Sequence, residues 1–210
     1  LVYPVDLPGF ETRVAGWRAH LRKKVRLGAQ VPTLTLDLRG LVHELRAIKS
    51  DHEVALMAEA ARISCEAHKR GMVIGTPGSQ ENRLEGVIEG HFRAEGAQRF
   101  AYPSIVASGA NGCVLHYTSN DGRLGDDDLL LVDAGAEYCG YAADVTTTWP
   151  ASGRFSPAQR KVYEAVLDVQ RTVVAAVRPG ATFNELNELA NRHLTVAMVE
   201  LGLLPSDEPI

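Results

Sequence analysis

The chain has 210 residues, 22 basic and 26 acidic, for a formal charge of −4; 45% of it is apolar and 6% aromatic. It holds no run of about 18 apolar residues, which excludes a membrane-spanning helix, and its dispersed charge argues against sequence-independent nucleic-acid binding. At roughly 100 to 200 residues per domain the length fits one domain or one and a fraction, and three cysteines, Cys65, Cys113 and Cys139, with no thiolate-metal spacing, fit a reducing, cytoplasmic setting.

Leu1 to Phe10 is too short and too rich in proline for the apolar core of a secretory signal. Trp17 to Leu27 reads as a basic amphipathic helix with Arg22, Lys23 and Lys24 on a solvated face, and Leu34, Leu36 and Leu38 alternate with polar residues as a half-buried strand does. Ser50 and Glu53 have the spacing of a capping box, so a helix starts there. Val54, Met57, Ala58, Ala61 and Cys65 follow at spacings of three and four, which predicts a buried stripe running to about Arg70. The helix stops between Gly71 and Gly75, and Thr76-Pro77-Gly78-Ser79 turns into a second helix bearing Leu84, Val87, Ile88 and Phe92.

After Gly96 the pattern changes. Ser104 to Ser108, Cys113 to Tyr117, Leu129 to Asp133 and Ala143 to Trp149 are short, β-rich and separated by Gly, Asn and Asp, as strands with tight connections are. Ser156 and Pro157 then cap another helix, with Val162, Val166, Val169, Val173 and Val177 marking a buried face up to Arg178. Thr182 and Glu185 form a further capping box for a helix with Leu186, Leu189, Ala190, Leu194, Ala197 and Leu201 on one side. No strand pattern occurs from Leu201 to Ile210.

This order contains a repeat. Pro77 to Leu84 and Pro179 to Leu186 sit at matching places between two helices, 102 residues apart. Strands follow the first copy; where they should follow the second, the sequence stops, so the chain is expected to be part of a longer protein. The expected class is α+β: a duplicated α-α-β-β unit that buries its helices on one face of a curved antiparallel sheet and leaves the other face for a site.

Asp133 closes the aliphatic run Leu129-Leu-Leu-Val, and Asp144 opens the next predicted strand. A hairpin centred between Tyr138 and Cys139 sets these aspartates directly opposite each other on one face, with Cβ atoms about 5 Å apart. Like charges so placed repel, and burying a carboxylate without a partner costs several kcal/mol, so a cation is expected between them. Carboxylate oxygens are hard ligands that suit Mn²⁺, Mg²⁺, Zn²⁺ or Co²⁺ without distinguishing them, and two cannot fill a coordination sphere. His116, on or beside a predicted strand, would share the aspartates' face, although a lone histidine is more often a packing residue. The other histidines show no metal-ligand spacing and read as surface or packing residues. There is no Walker loop, no G-x-G-x-x-G after a strand and no G-x-S-x-G elbow. Cys113, three residues from His116 on a predicted strand, would face away from it and lack a base.

The segments Asn111 to Asp121, Leu131 to Pro150 and Gly153 to Tyr163, together with Val42 to Ser50, resemble the Xaa-Pro aminopeptidase (aminopeptidase P) group of the pita-bread metallopeptidases, in the right order from about residue 40 onward. The resemblance implies the pita-bread fold. It also implies two divalent ions, commonly Mn²⁺, held by two aspartates, a histidine and two glutamates. The aspartates carry over onto Asp133 and Asp144. His116 matches a histidine that lines the site and assists substrate positioning and proton transfer; Thr146 matches a hydroxyl beside the metal ligands, and Tyr102 a tyrosine near the metals.

The metal-binding histidine, both glutamates and a second site histidine of the family have no counterpart here, so this chain alone is expected to bind metal weakly and to be inactive. Residues 1–45 then read as the end of a preceding domain plus linker and 46–210 as a partial catalytic domain. The implied substrates are peptides with proline at the second position, and the implied assembly is a homodimer or homotetramer, with no nucleic-acid or membrane partner. Two other readings stay open. One is an Xaa-Pro dipeptidase (prolidase) of the same fold, against which Tyr117-Thr-Ser-Asn counts. The other is a non-catalytic peptide-binding relative, against which retention of both aspartates counts.

Overall fold

The computed structural model describes residues 1–205; the end of the segment from Leu201 to Ile210, residues 206–210, lies outside the described residues. The chain divides into two compact units, Leu1–Ala55 and Leu56–Ile210. In the first, β1 (Val2–Tyr3) pairs in parallel with β2 (Leu36–Asp37), and two helices follow the strands, α1 (Phe10–Lys23) and α2 (Leu38–Ala47). The basic helix therefore starts at Phe10 rather than Trp17, behind Gly9 in a left-handed conformation (φ 76°). The half-buried strand expected at Leu34 to Leu38 is reduced to two residues. Asp37 accepts the backbone N–H of Arg39 (3.1 Å) and caps α2, which turns the chain helical at Leu38, and Leu34 and Leu36 stay exposed.

Ser50 and Glu53 form the expected capping box at the start of α3 (Asp51–Ile74): the Ser50 N–H donates to the Glu53 carboxylate (2.7 Å) and the Glu53 N–H to the Ser50 hydroxyl (3.4 Å). The stripe expected to be buried is not the one that packs. Met57 and Cys65 are exposed, while Ala60, Ile63, Ser64, Ala67, His68 and Gly71 are covered. The covered face is the one of small side chains: a Cβ on Gly71 would lie 3.1 Å from Ile88 Cδ1 and 3.8 Å from the Trp149 ring. Small residues let the neighbouring helix and sheet approach, so that the large side chains of α4 (Glu81–Ala94), Leu84, Ile88 and Phe92, are wholly buried, with Val87 at the edge.

Two three-stranded antiparallel sheets follow. One has the order β4 (Ile105–Ser108), β5 (Leu129–Asp133), β8 (Thr146–Pro150); the other has β3 (Arg99–Phe100), β6 (Ala136–Tyr138), β7 (Tyr141–Ala142). Along β5 the side chains alternate. Leu130 and Val132 are buried in the core with Ile63, Ile88, Phe92, Val106 and Trp149, which leaves Leu129, Leu131 and Asp133 on the opposite, half-covered face. The segment Cys113 to Tyr117 is not a strand: a 3-10 turn over Gly109–Cys113 leads into an irregular connection. Nor does Asp144 open a strand, since β8 starts at Thr146.

The Pro-Gly repeat is present in three dimensions. α3 and α4 are joined through Gly78 (φ 82°), and α5 (Pro157–Ala176) and α6 (Phe183–Glu200) through Gly180 (φ 89°), both left-handed as glycine allows. The expected capping box of Thr182 with Glu185 forms, and the expected N-cap at Ser156 proves to be a full capping box with Gln159. The valine face of α5 is mostly open, however. Val169 is buried, whereas Val162, Val166 and Val177 are exposed, because among the described residues α5 packs chiefly against α6, whose own stripe is only half-covered.

Two histidines are buried against the core. His68 spans from α3 to the sheet, with Nδ1 2.7 Å from the Thr147 hydroxyl and Nε2 3.0 Å from the Ala134 carbonyl oxygen. Burial lowers its pKa despite the Ala134 carbonyl and the Asp133 charge, which act the other way. His91 is lowered by burial and then by Arg70, and its Nε2 has no partner among the described residues. In the unfolded chain both return to the ordinary 6.5. The unfolded state then binds more protons as pH falls, so stability is full above about pH 6.5 and is lost as pH drops through the lower folded values. Thermal unfolding followed from pH 8 to 5 is expected to show this acid loss. His91→Leu, which removes an unpaired buried nitrogen worth about 1 kcal/mol or more, should unfold no earlier at pH 7 and show a shallower acid slope.

Candidate metal centre

The site is built by a hairpin and by the tyrosine that closes it. β6 and β7 meet at Cys139-Gly140, both with positive φ (49° and 84°), and pair Tyr138 with Tyr141 and Glu137 with Ala142. Positive φ at both central residues is the twist that a two-residue hairpin requires, and glycine supplies one of them. The hairpin is thus centred one position later than the sequence reading placed it. Asp133 pairs with Thr146, not with Asp144. The shift preserves parity, so the side of the sheet is unchanged: Asp144, two residues before Thr146, becomes a diagonal neighbour of Asp133.

Asp144 lies in the unpaired stretch between β7 and β8. The two strands of backbone are pressed together there. Ala134 N donates to Val145 O (3.1 Å), Ala143 N donates to Ala136 O (2.9 Å), and a Cβ added to Gly135 would overlap the Ala143 carbonyl oxygen. Only glycine permits that passage, and it brings both aspartates to one hydroxyl. Tyr102 Oη stands 2.5 Å from Asp133 Oδ1 and 3.1 Å from Asp144 Oδ1, and accepts the Val145 N–H at 3.4 Å. Burial, then the hydrogen bond and charge of Asp133, holds the Tyr102 pKa well above the ordinary phenol value. The tyrosine is therefore a neutral donor, and its single proton serves the nearer carboxylate.

His116 reaches the same place by another route. It sits in the irregular connection after the 3-10 turn, exposed, with a left-handed backbone (φ 55°) that non-glycine residues seldom adopt. With Tyr102, Asp133, Asp144, Pro103, Ile105 and Thr118 it lines a cleft of about 420 Å³. The strand that was to place Cys113 and His116 on opposite faces is absent, so that ground for separating them lapses. Thr146 is exposed at the start of β8, directly across from Asp133.

Several residues of this region escaped the sequence reading. Pro103 and Thr118 line the cleft, and Glu81, at the start of α4, is wholly buried. Burial would raise the Glu81 pKa, but hydrogen bonds from Asn111, Ser108 and Tyr117 outweigh it and hold the carboxyl below its ordinary value. Its partners stand 27 to 41 positions away, a separation with no local signature.

The donors present fit a divalent cation in part. Two carboxylates converge on one point, which favours a cation between them, yet among the described residues no group of three or more His, Cys, Asp or Glu side chains is placed to hold an ion. Among the described residues the hairpin brings together two carboxylates with hard oxygens. Because the convergence depends on the bare α-carbon of residue 135, Gly135→Ala is expected to cost at least about 2 kcal/mol of stability, measured by denaturant unfolding, through forced separation of the two backbones.

Comparison with known proteins places the chain in a family. The family described as Metallopeptidase family M24 matches residues 55–204. The Xaa-Pro aminopeptidase of Escherichia coli (strain K12) is 42% identical over 187 residues, covering 89% of this chain and 42% of that protein. The structure of Pseudomonas aeruginosa aminopeptidase PepP superposes with a TM-score of 0.95 at 43% identity, over 98% of this chain and 47% of that one. A zinc-substituted Escherichia coli aminopeptidase P in complex with product superposes at 0.91 and 39% identity, over 96% and 46%. The chain therefore spans less than half the length of these relatives, and the expected pita-bread α+β fold is the one it shares with them. With most of its length matched, this chain belongs to metallopeptidase family M24.

Proposed function

We propose that the protein containing this chain is a dinuclear metalloaminopeptidase that hydrolyses the bond between an N-terminal residue and proline. The observation that carries the reading is the convergence of Asp133 and Asp144 on the Tyr102 hydroxyl in a cleft that His116 also lines. The relatives' names, Xaa-Pro aminopeptidase above all, supply the substrate class: peptides with proline at the second position.

Asp133 and Asp144 would hold divalent metal through their carboxylate oxygens. Mn²⁺ is the proposed ion, with Zn²⁺, Co²⁺ and Mg²⁺ as alternatives. Bound metal lowers the pKa of water to make a nucleophile at neutral pH and polarises the scissile carbonyl. Tyr102, kept neutral, donates to Asp133 and limits the positions its oxygens can take. Thr146 presents a hydroxyl on the same side of the sheet. His116 orients the substrate and delivers a proton to the proline nitrogen as it leaves.

The remaining ligands, a histidine and two glutamates, are proposed to come from outside these 210 residues, so that this chain alone is inactive. Residues 1 to about 45 are proposed to end a preceding domain, with 46–210 part of the catalytic one. The free cysteines support a cytoplasmic setting. Assembly of the whole protein into a dimer or tetramer is part of the same proposal.

The test is made on the full-length protein, stripped with a chelator and reloaded with each of the four ions in turn. Mn²⁺ is expected to restore most activity on a tripeptide with proline second, with less on the matching dipeptide. Asp133→Asn and Asp144→Asn should each lower kcat/KM by about 100-fold or more. Absence of Mn²⁺ binding by isothermal titration would remove the enzyme reading.

A further inference from the structure

Among the described residues His116 has no hydrogen-bond partner for its side chain. It is exposed, its backbone is left-handed, and it stands in the middle of a segment with no regular structure between the 3-10 turn and β5. Its place over the aspartates must come from whatever fixes that segment. Both ends of the segment, and the residue beside His116, converge on one buried carboxylate.

Glu81 Oε1 accepts the Ser108 N–H (2.7 Å), the Ser108 hydroxyl (2.7 Å) and the Asn111 amide (3.0 Å), where the chain leaves β4. Glu81 Oε2 accepts the Tyr117 hydroxyl (2.8 Å), from the residue that follows His116, and the Gly122 N–H (2.8 Å), where the segment returns. The Glu81 N–H in turn donates to the Gly122 carbonyl at 3.0 Å. Gly122 cannot carry a side chain, since a Cβ there would lie 2.8 Å from both Glu81 Oε1 and Asn111 Nδ2. No basic side chain takes part in these contacts. The anion is satisfied by donated hydrogen bonds and by its position at the first residue of α4, where the helix dipole favours negative charge.

A second clasp works alongside it. Buried Asn120, also left-handed (φ 47°), accepts the Val106 N–H (2.9 Å) and donates to Ser104 O and to Glu85 (2.9 Å each). It ties the segment to β4, but it touches neither Tyr117 nor the entry of the segment. Glu81 alone closes the loop at both ends and beside the histidine.

We propose that Glu81 is a positioning residue that sets His116 over the Asp133–Asp144 cleft by clamping Ser108, Asn111, Tyr117 and Gly122. This rests on the reading of His116 as a catalytic group. A shift of about 1 Å in a reacting group can cost about 100-fold in rate, so loosening the clamp acts on kcat more than on KM.

The experiment is a double-mutant cycle in the full-length, metal-loaded protein, with Glu81→Gln and His116→Ala alone and together. It is paired with amide hydrogen exchange over residues 108–122 and the His116 ring-proton NMR signal. Glu81→Gln is expected to lower kcat about 10- to 100-fold with little change in KM or metal content. It should speed exchange at Ser108 and Gly122 at least about tenfold, move the His116 signal, and have almost no further effect once His116 is alanine. Tyr117→Phe, which removes one hydroxyl from the clamp, should act in the same direction more weakly and covers the case in which Glu81→Gln does not fold.

An equal loss of kcat with and without His116, or unchanged exchange and ring signal, overturns the inference. A wild-type protein that cleaves no Xaa-Pro peptide overturns the proposed function instead. In that case the exchange and ring-signal results still decide whether Glu81 places His116.

Discussion

The passage of one backbone across another at Gly135 and Ala143 is the constraint on which the site depends. The contact leaves no room for a Cβ, and it occurs between Gly135, two residues past the end of β5, and Ala143, the residue that precedes Asp144. Any side chain at 135 would separate the two arms of the hairpin and carry Asp144 away from Asp133. Because the arms are closed, a single phenolic oxygen reaches both carboxylates. Like charges are thereby assembled at a point where a cation, not a side chain, best compensates them.

Around this point the polar groups that enter the interior are nearly all satisfied, and each joins elements distant in sequence. Glu81 ties α4 to the segment bearing His116, His68 ties α3 to Ala134 and Thr147, and Ser64 on α3 accepts the Ala136 N–H (2.9 Å). Buried groups of this kind cost stability when one partner is removed, so they fix relative position more than they add net stability. His91 and Trp149, each with one buried nitrogen unpaired among the described residues, are the exceptions. Neither lines the cleft.

The molecule thus separates two tasks. The hairpin bearing the aspartates is rigid, because its geometry is set by backbone contact and by strand pairing to β4 and β8. The segment bearing His116 is irregular, with a left-handed backbone at His116 itself, and side-chain hydrogen bonds to Glu81 and from Asn120 tie it to α4 and to the chain around β4. A carboxylate pair placed by a sheet and a histidine carried on an irregular segment thus line one cleft, in a chain that belongs to a metallopeptidase family.

Much of this was legible in the amino-acid order by itself. The capping boxes of Ser50 with Glu53 and Thr182 with Glu185, the N-cap at Ser156, the Pro-Gly turns of the repeat, the strand Leu129 to Asp133 and the placing of Asp133 and Asp144 on one side of a hairpin follow from short-range chemistry: a side chain meeting a backbone group three residues away, or a period of two along a strand. Only the tertiary structure decided the rest. Whether α3 packs by Met57 and Cys65 or by Ala60, Ala67 and Gly71 depends on how closely Ile88 and Trp149 approach, and spacing alone treats both stripes alike. The hairpin centre moved by one position, and the partner of Asp133 by two, because the turn selected its own pair of left-handed residues at Cys139 and Gly140. The role of Glu81 was invisible because its partners lie 27 to 41 residues away. Local periodicity carries no information about contacts that form only after the chain has closed on itself.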